Sequence, residues 1–244
     1  MCITKEELPI INPIINDDGN AMILAYVNAD EILQSTVNLY INSKLFTYDK
    51  KYQKSKLFHE FTHIFDANKL LGNYPYKIME CLLSTYSEYH ASQIELAYNI
   101  GAKSINTLPK IDIHKTYVAY ENKVVEVSTD FLQPLADAIC IIDKNRMAYF
   151  SLKPSEYYRK YLVFRTKSMY YLGKRGLCDM ISMKQIPDTT KHLKTFSSYI
   201  RKMEHCIKIK DFDGLLIAEK RLMAHFVECF PIKDIDILNK ILNM

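Results

Sequence analysis

The scarcity of glycine and proline is the feature that most constrains how this chain can fold. Six glycines and eight prolines occur in 244 residues, too few for the many tight turns of an all-β sandwich or barrel. Hydrophobic residues make up 48% of the sequence and charged residues 25%, which is typical of a globular chain rather than a disordered one. We therefore expect a folded and mostly helical protein with a sizeable core.

Apolar residues at helical spacing predict helices along most of the chain. The predicted helices cover 30–40, 52–71, 77–100, 114–127, 130–143, 155–173, 189–209, 212–229 and 233–243. Short runs of β-branched and aromatic residues at 21–27 and 44–48 favour strands instead. The predicted fold class is α+β and mostly helical, with a small sheet in the N-terminal part and an all-helical C-terminal part.

The charge is divided unevenly along the chain. Residues 1–110 carry a net charge of −2 and residues 111–244 a net charge of +6, within a total of +4. Such a difference favours two parts with different surfaces. The sequence therefore predicts an N-terminal domain over 1–110 and a basic helical domain over 111–244.

One short motif, His59-Glu60-Phe61-Thr62-His63, points to metal chemistry. Histidines four positions apart lie on the same side of a helix and can bind one zinc ion, Zn2+. The glutamate between them is close enough to act on a zinc-bound water. Two ordinary surface histidines are the alternative interpretation of the motif.

The helix around this motif has an apolar side roughly opposite the histidines. Its members are Leu57, Phe58, Phe61, Ile64 and Phe65. We expect this apolar side to pack into the core, which would leave the histidine side for the functional site.

Zinc needs a further protein ligand, and the next predicted helix offers Glu88. Ala91 and Ser92 share the face of Glu88 and are small enough for that helix to lie close to the histidine helix. Glu95 shares the same face and is the main competitor of Glu88. His90 is expected to point largely away, and Asp66 to be a carboxylate that is solvated or supports a ligand.

The H-E-x-x-H motif followed by Glu88-Tyr89-His90-Ala91 resembles the zincin metallopeptidases of glutamate-ligand type. Within that group the chain is most similar to the ImmA/IrrE-type proteins of bacteria and their mobile elements. The resemblance covers roughly residues 40–100 and implies a zincin-like N-terminal part. It implies that His59, His63 and Glu88 are zinc ligands and that Glu60 is the catalytic base.

The segment 143–175 is rich in basic and aromatic residues. Lys160, Lys167 and Lys174 recur every seven positions, and tyrosines are interleaved with them. Cations next to aromatic rings can bind nucleic acid through phosphates and stacking. An acidic protein partner, or an ordinary helix that buries its aromatic residues, are the other interpretations.

The chain shows no secretory signal and no apolar run long enough to span a bilayer. Six widely spaced cysteines without a C-x-x-C pair favour reduced thiols. We therefore expect a cytoplasmic zinc-dependent metallopeptidase that hydrolyses a peptide bond in a protein or peptide substrate, without a membrane partner. The alternatives are a nucleic-acid-associated protein of a mobile element acting through 143–175, and a zincin-like scaffold that binds metal without turnover.

Overall fold

The computed structural model describes residues 2–3, 25–27, 39–103, 107–143 and 146–232. This part of the chain is mostly helical with small sheets, which confirms the predicted α+β class. Contacts divide the chain into two compact units, Met1–Phe131 with Gly173–Gln185, and Leu132–Leu172 with Ile186–Met244. The domains 1–110 and 111–244 were predicted from the distribution of charge. A division by contacts does not test them, so they stay a prediction.

The first unit contains a small sheet, a group of helices and a β-hairpin. Its sheet consists of β1 (Cys2–Ile3), β2 (Ala25–Val27) and β3 (Leu39–Asn42), with β3 in the middle, parallel to β1 and antiparallel to β2. The helices are α1 (Lys50–Asp66), α2 (Tyr76–Leu82) and α3 (Glu88–Asn99). Five-residue π-helical segments follow α1 (Ala67–Leu71) and precede α3 (Leu83–Ser87).

The predicted strand at 44–48 is wrong. Ser43–Thr47 forms a short 3-10 helix, and the strand lies just before it at Leu39–Asn42. The side chain of Asn42 accepts a hydrogen bond from the backbone nitrogen of Lys44 at 2.9 Å. This cap bends the chain out of the sheet, since asparagine side chains favour turns and helix starts over continued strands.

The predicted helix at 114–127 is also wrong, and so is the prediction that the C-terminal part from residue 111 is all-helical. This segment forms a hairpin of β4 (Tyr117–Tyr120) and β5 (Lys123–Glu126), in which Val118 pairs with Val125. Valine and tyrosine favour strands, and cross-strand pairs of such residues stabilise a hairpin. The apolar spacing in this short segment fitted a helix equally well, so periodicity alone could not decide.

The expectation that the apolar side of the motif helix faces the core is wrong as well. Phe58, Phe61 and Phe65 of α1 are 43%, 49% and 52% exposed. The buried residues of α1 are Tyr52, Ser55, His59, Thr62 and Asp66. The helix therefore packs through the histidine side, because that side faces α3.

The second unit is helical in its described part. It contains most of α4 (Val127–Ile142), α5 (Arg146–Phe150), the first part of α6 (Pro154–Ile181), a 3-10 segment (Thr190–Phe196), α7 (Ser197–Ile209) and α8 (Phe212–Cys229). Helices α7 and α8 form a helical hairpin, and the side chain of Asp211 caps α8 by accepting a hydrogen bond from the backbone nitrogen of Gly214. Phe226 lies at the centre of an aromatic cluster in this unit.

The basic segment 143–175 uses several of its side chains within the protein. Arg165 forms a buried ion pair with Glu219, and Lys174 pairs with Asp130 at 2.8 Å. The aromatic residues Tyr157, Tyr161, Phe164 and Tyr171 are buried. Those four rings are core residues, which matches the interpretation of an ordinary helix and leaves them inaccessible to bases.

Three predicted elements concern residues beyond the described ones. The helix at 233–243 lies outside them completely, and the helix at 30–40 lies outside except for the residues that begin β3. Only the end of the predicted strand at 21–27 is described, as β2. None of the helices in the described part of the chain is long and apolar enough to cross a membrane.

Candidate metal centre

The candidate site lies between α1 and α3 of the first unit. Asp49 begins α1 by accepting a hydrogen bond from the backbone nitrogen of Lys51 at 2.8 Å, as expected for a helix N-cap. On α3, Ala91 and Ser92 are fully buried. The sequence predicts that these small residues let α3 lie close to α1, but Ser92 lies against Gly173 of α6.

A glycine of α6 supports the other side of α3. A Cβ atom at Gly173 would lie 2.2 Å from the carbonyl oxygen of Tyr89 and 2.0 Å from the Oγ atom of Ser92. Only glycine allows α6 to approach α3 so closely. Helix α3 is therefore held between two helices, which fixes the position of its acidic side chains.

The two histidines of the motif turn their Nε2 atoms toward one carboxylate oxygen. Oε2 of Glu88 lies 3.2 Å from Nε2 of His59 and 3.5 Å from Nε2 of His63. His59 is buried, whereas His63 and Glu88 are partly exposed. Three candidate ligand atoms from two helices therefore meet at a place that is not sealed from solvent.

The two separations from the Glu88 oxygen suit a zinc ion. Zinc binds imidazole nitrogen at about 2.0–2.1 Å and carboxylate oxygen at about the same distance. Its four ligands are arranged as a tetrahedron. Two ligand atoms of such a tetrahedron lie about 3.3–3.4 Å apart. Both separations from the Glu88 oxygen are close to this value. Two imidazoles and one carboxylate also form a donor set of catalytic zinc sites, which keep a fourth position open.

Glu95, the competing candidate ligand, lies on the other side of the His59 ring. Its Oε2 atom is 3.1 Å from Nδ1 of His59, whereas its Oε1 atom is 2.8 Å from Nζ of Lys56. Lys174 lies 3.9 Å from the same Oε1 atom and pairs with Asp130. Glu95 therefore supports His59 from behind, and it is Glu88 that faces both Nε2 atoms.

Nδ1 of His63 is held by a second set of buried groups. It lies 2.8 Å from Oγ of Ser87, which donates a hydrogen bond to Oδ2 of Asp66 at 2.8 Å. Nδ1 of His90 lies 2.9 Å from Oδ1 of the same aspartate. His90 therefore reaches α1, the helix that Glu88 also faces, and it is a hydrogen-bonded histidine. Asp66 is fully buried rather than solvated.

The surroundings shift the pKa values of the two histidines in opposite directions. Burial lowers the pKa of His59, but hydrogen bonds to Glu88 and Glu95 outweigh burial and raise that pKa to about 10. Burial lowers the pKa of His63 to about 4, against the attraction of Glu88. These opposite shifts favour a protonated His59 and a neutral His63 in the metal-free protein near neutral pH, and metal binding to a protonated His59 releases a proton.

Glu60 belongs to the same cluster. His59, Glu60 and His63 each offer a ligand atom within 4.8 Å of the others. Burial raises the pKa of Glu60 to about 8, with a further increase from Glu88 and a decrease from His59. A carboxyl group with a pKa near neutrality can both accept and donate a proton at physiological pH.

Sequence reasoning missed the groups that surround the candidate ligands. Lys56, Ser87, Lys174 and Asp130 carry no motif, and they come from four separate segments of the chain. Asp66 was the exception, since it lies three positions after His63 on the same helix face. Only the packing of the first unit shows which of these groups meet.

Comparison with known proteins adds no family to this picture. The chain matches no protein-family model, no curated protein and no solved structure. The resemblance to zincins therefore depends on the motif and on Glu88, and the function must be argued from the site itself.

Proposed function

We propose that this protein is a zinc-dependent metallopeptidase with His59, His63 and Glu88 as zinc ligands. The observation that carries the proposal is the position of the Glu88 Oε2 atom, at 3.2 Å and 3.5 Å from the two histidine Nε2 atoms. These separations suit tetrahedral zinc. The proposed substrate is a peptide bond of a protein or peptide.

Glu60 is the proposed general base. Bound zinc would polarise the scissile carbonyl and lower the pKa of a water molecule toward neutrality. A cation next to Glu60 also lowers the pKa of its carboxyl group, so that the ionised carboxylate can accept a proton from the attacking water. Glu60 then donates this proton to the leaving amine, as general acid.

Histidine variants test the metal site. We expect purified protein to hold about one zinc ion per chain, and His59→Ala to lose it, as measured by inductively coupled plasma mass spectrometry. His114→Ala is the matched control, because His114 is exposed and lies outside the cluster. Equal zinc content in both variants would contradict the proposed ligands.

Glu60→Gln tests the chemistry. We expect this variant to keep its zinc and to hydrolyse peptides at least 100-fold more slowly, since a general base contributes about 10²–10⁴-fold. Glu80→Gln, at an exposed position of α2, is expected to keep both zinc and activity. Hydrolysis is measured with a fluorogenic peptide library and with denatured protein substrates.

Two results would contradict the peptidase proposal. Undiminished hydrolysis by Glu60→Gln would exclude Glu60 as the base. A zinc-loaded wild-type protein that cleaves none of the substrates would instead support the alternative of a metal-binding scaffold without turnover.

A further inference from the structure

Two consecutive residues contact the two nitrogens of the same histidine ring. Glu88 faces Nε2 of His63, and Ser87 lies 2.8 Å from its Nδ1 atom. Ser87 is the last residue of the π-helical segment that precedes α3, and π-helical turns are frequent at functional sites. This turn directs Ser87 and Glu88 toward α1 together.

The hydrogen bonds of Ser87 have a direction. A hydroxyl group has one proton to donate, and the Ser87 hydroxyl donates it to Oδ2 of Asp66. An ionised carboxylate can only accept hydrogen bonds. The Oγ atom of Ser87 can therefore only accept from His63, so the Nδ1 atom of His63 must carry a proton.

We infer that Asp66 and Ser87 are positioning residues that hold His63 in the tautomer with Nε2 free for a metal. The role of this tautomer in metal binding rests on the proposed function. The tautomer itself is a property of the metal-free protein and can be measured without metal. The buried carboxylate sets the direction of the serine hydroxyl, and the hydroxyl sets the tautomer of the ring.

His90 completes this arrangement at the surface end. Its Nδ1 atom lies 2.9 Å from Oδ1 and 3.1 Å from Oδ2 of Asp66. The fully buried aspartate thus has a second partner besides Ser87, as a buried carboxylate requires. Such partners of ligand histidines commonly change metal affinity by about 10–100-fold when they are removed.

The tautomer can be measured directly. In metal-free protein labelled with ¹⁵N, long-range ¹H–¹⁵N correlation spectra separate protonated from unprotonated ring nitrogens. We expect His63 to be protonated on Nδ1 in the wild type. We expect Ser87→Ala to shift it toward the Nε2-protonated form, which neutral histidine prefers in water. Ser87→Thr keeps a hydroxyl group and is expected to restore the wild-type tautomer.

Ser92→Ala is the matched control. Ser92, within α3, is also a fully buried serine, but its hydroxyl donates to the carbonyl oxygen of Tyr89. We expect this variant to keep the tautomer of His63 and the zinc affinity of the wild type. For Ser87→Ala we expect zinc affinity, measured by competition with a chelator, to fall about 10–100-fold.

The outcomes separate this inference from the proposed function. Protonation of His63 on Nε2 in the metal-free wild type would overturn the inference even if the protein binds zinc. Equal zinc affinity of Ser87→Ala and Ser92→Ala would also overturn it. A protein with the predicted tautomer that binds no zinc would refute the metal site while confirming the hydrogen-bond direction.

Discussion

The Oε2 atom of Glu88 lies 3.2 Å from Nε2 of His59, although 29 positions separate the two residues in the chain. Glu95 approaches the same ring from the opposite nitrogen, at 3.1 Å from Nδ1. One histidine therefore lies between two carboxylates with different tasks. The first faces the candidate metal position, and the second supports the ring.

The two carboxylates should respond differently to mutation. We expect Glu88→Ala to weaken zinc binding by more than about 100-fold, because it removes a proposed ligand, and Glu95→Gln by about 10–100-fold, because it removes only the support of His59. Competition with a chromophoric chelator measures both affinities. A larger loss in Glu95→Gln than in Glu88→Ala would exchange the two roles.

Glu95 should also make the metal-free protein sensitive to acid. Burial raises its pKa, but Lys56, Lys174 and His59 together lower it well below 4.5. Because the folded-state pKa is lower than the unfolded one, this stabilisation is present above pH 4.5 and is lost as the pH falls below it.

The measurement is the free energy of unfolding in urea at pH 6 and at pH 3. The destabilisation caused by Glu95→Gln should be smaller at pH 3, since the wild type has by then lost part of what Glu95 contributes. Glu80→Gln should show no such dependence. A destabilisation by Glu95→Gln that stays constant or grows on acidification would contradict the account.

The phenylalanine side of α1 should contribute little to stability. Phe61 is 49% exposed, whereas Phe226 of α8 is fully buried. We expect Phe61→Ala to change the free energy of unfolding by less than about 1 kcal/mol and Phe226→Ala to lower it by about 3–5 kcal/mol. Urea unfolding of both variants checks this. Similar losses of unfolding free energy in the two variants would support the expectation from the sequence that the phenylalanine side of α1 faces the core.

Lys194 has a backbone conformation that favours glycine, with φ 54° and ψ −127°. Such a conformation costs a residue with a side chain about 1–3 kcal/mol, and the ion pair of Lys194 with Asp143 is exposed and contributes little. We expect Lys194→Gly to stabilise the protein by about 1 kcal/mol.

Lys191→Gly is the control for this variant, in the same 3-10 segment but without the unusual backbone conformation. It should destabilise by about 0.5–1 kcal/mol through backbone entropy. Equal destabilisation by the two glycine substitutions, measured by urea unfolding, would show that Lys194 is not strained.

The helical class and most helices could be predicted from the sequence, because long amphipathic segments have a clear period. Helix α8 was predicted with its bounds, 212–229. The hairpin at Tyr117–Glu126 was not predicted, since a short apolar run suits a helix or a hairpin equally well. Only the pairing of β4 with β5 shows which of the two forms. The strand near residue 44 failed for a similar reason, as one capping contact of Asn42 ended it early.

The two candidate histidine ligands could be predicted because their spacing along one helix is fixed by helical geometry, whereas Glu88 on the next helix was predicted with Glu95 as its competitor. The orientation of the helix could not. A periodicity argument assigns the phenylalanines to the core, yet α1 packs through His59, Thr62 and Asp66 instead. Buried hydrogen bonds and ion pairs satisfy these polar groups, and such long-range partners leave no local pattern in the sequence.

The central claim is that His59, His63 and Glu88 bind zinc. X-ray absorption at the zinc K-edge of the zinc-loaded protein tests it most directly. The account predicts nitrogen and oxygen neighbours at about 2.0–2.1 Å with the multiple scattering of two imidazoles, and loss of one imidazole in His63→Ala. Sulfur neighbours at about 2.3 Å, the distance of cysteine thiolates, or a spectrum unchanged by His63→Ala would contradict it.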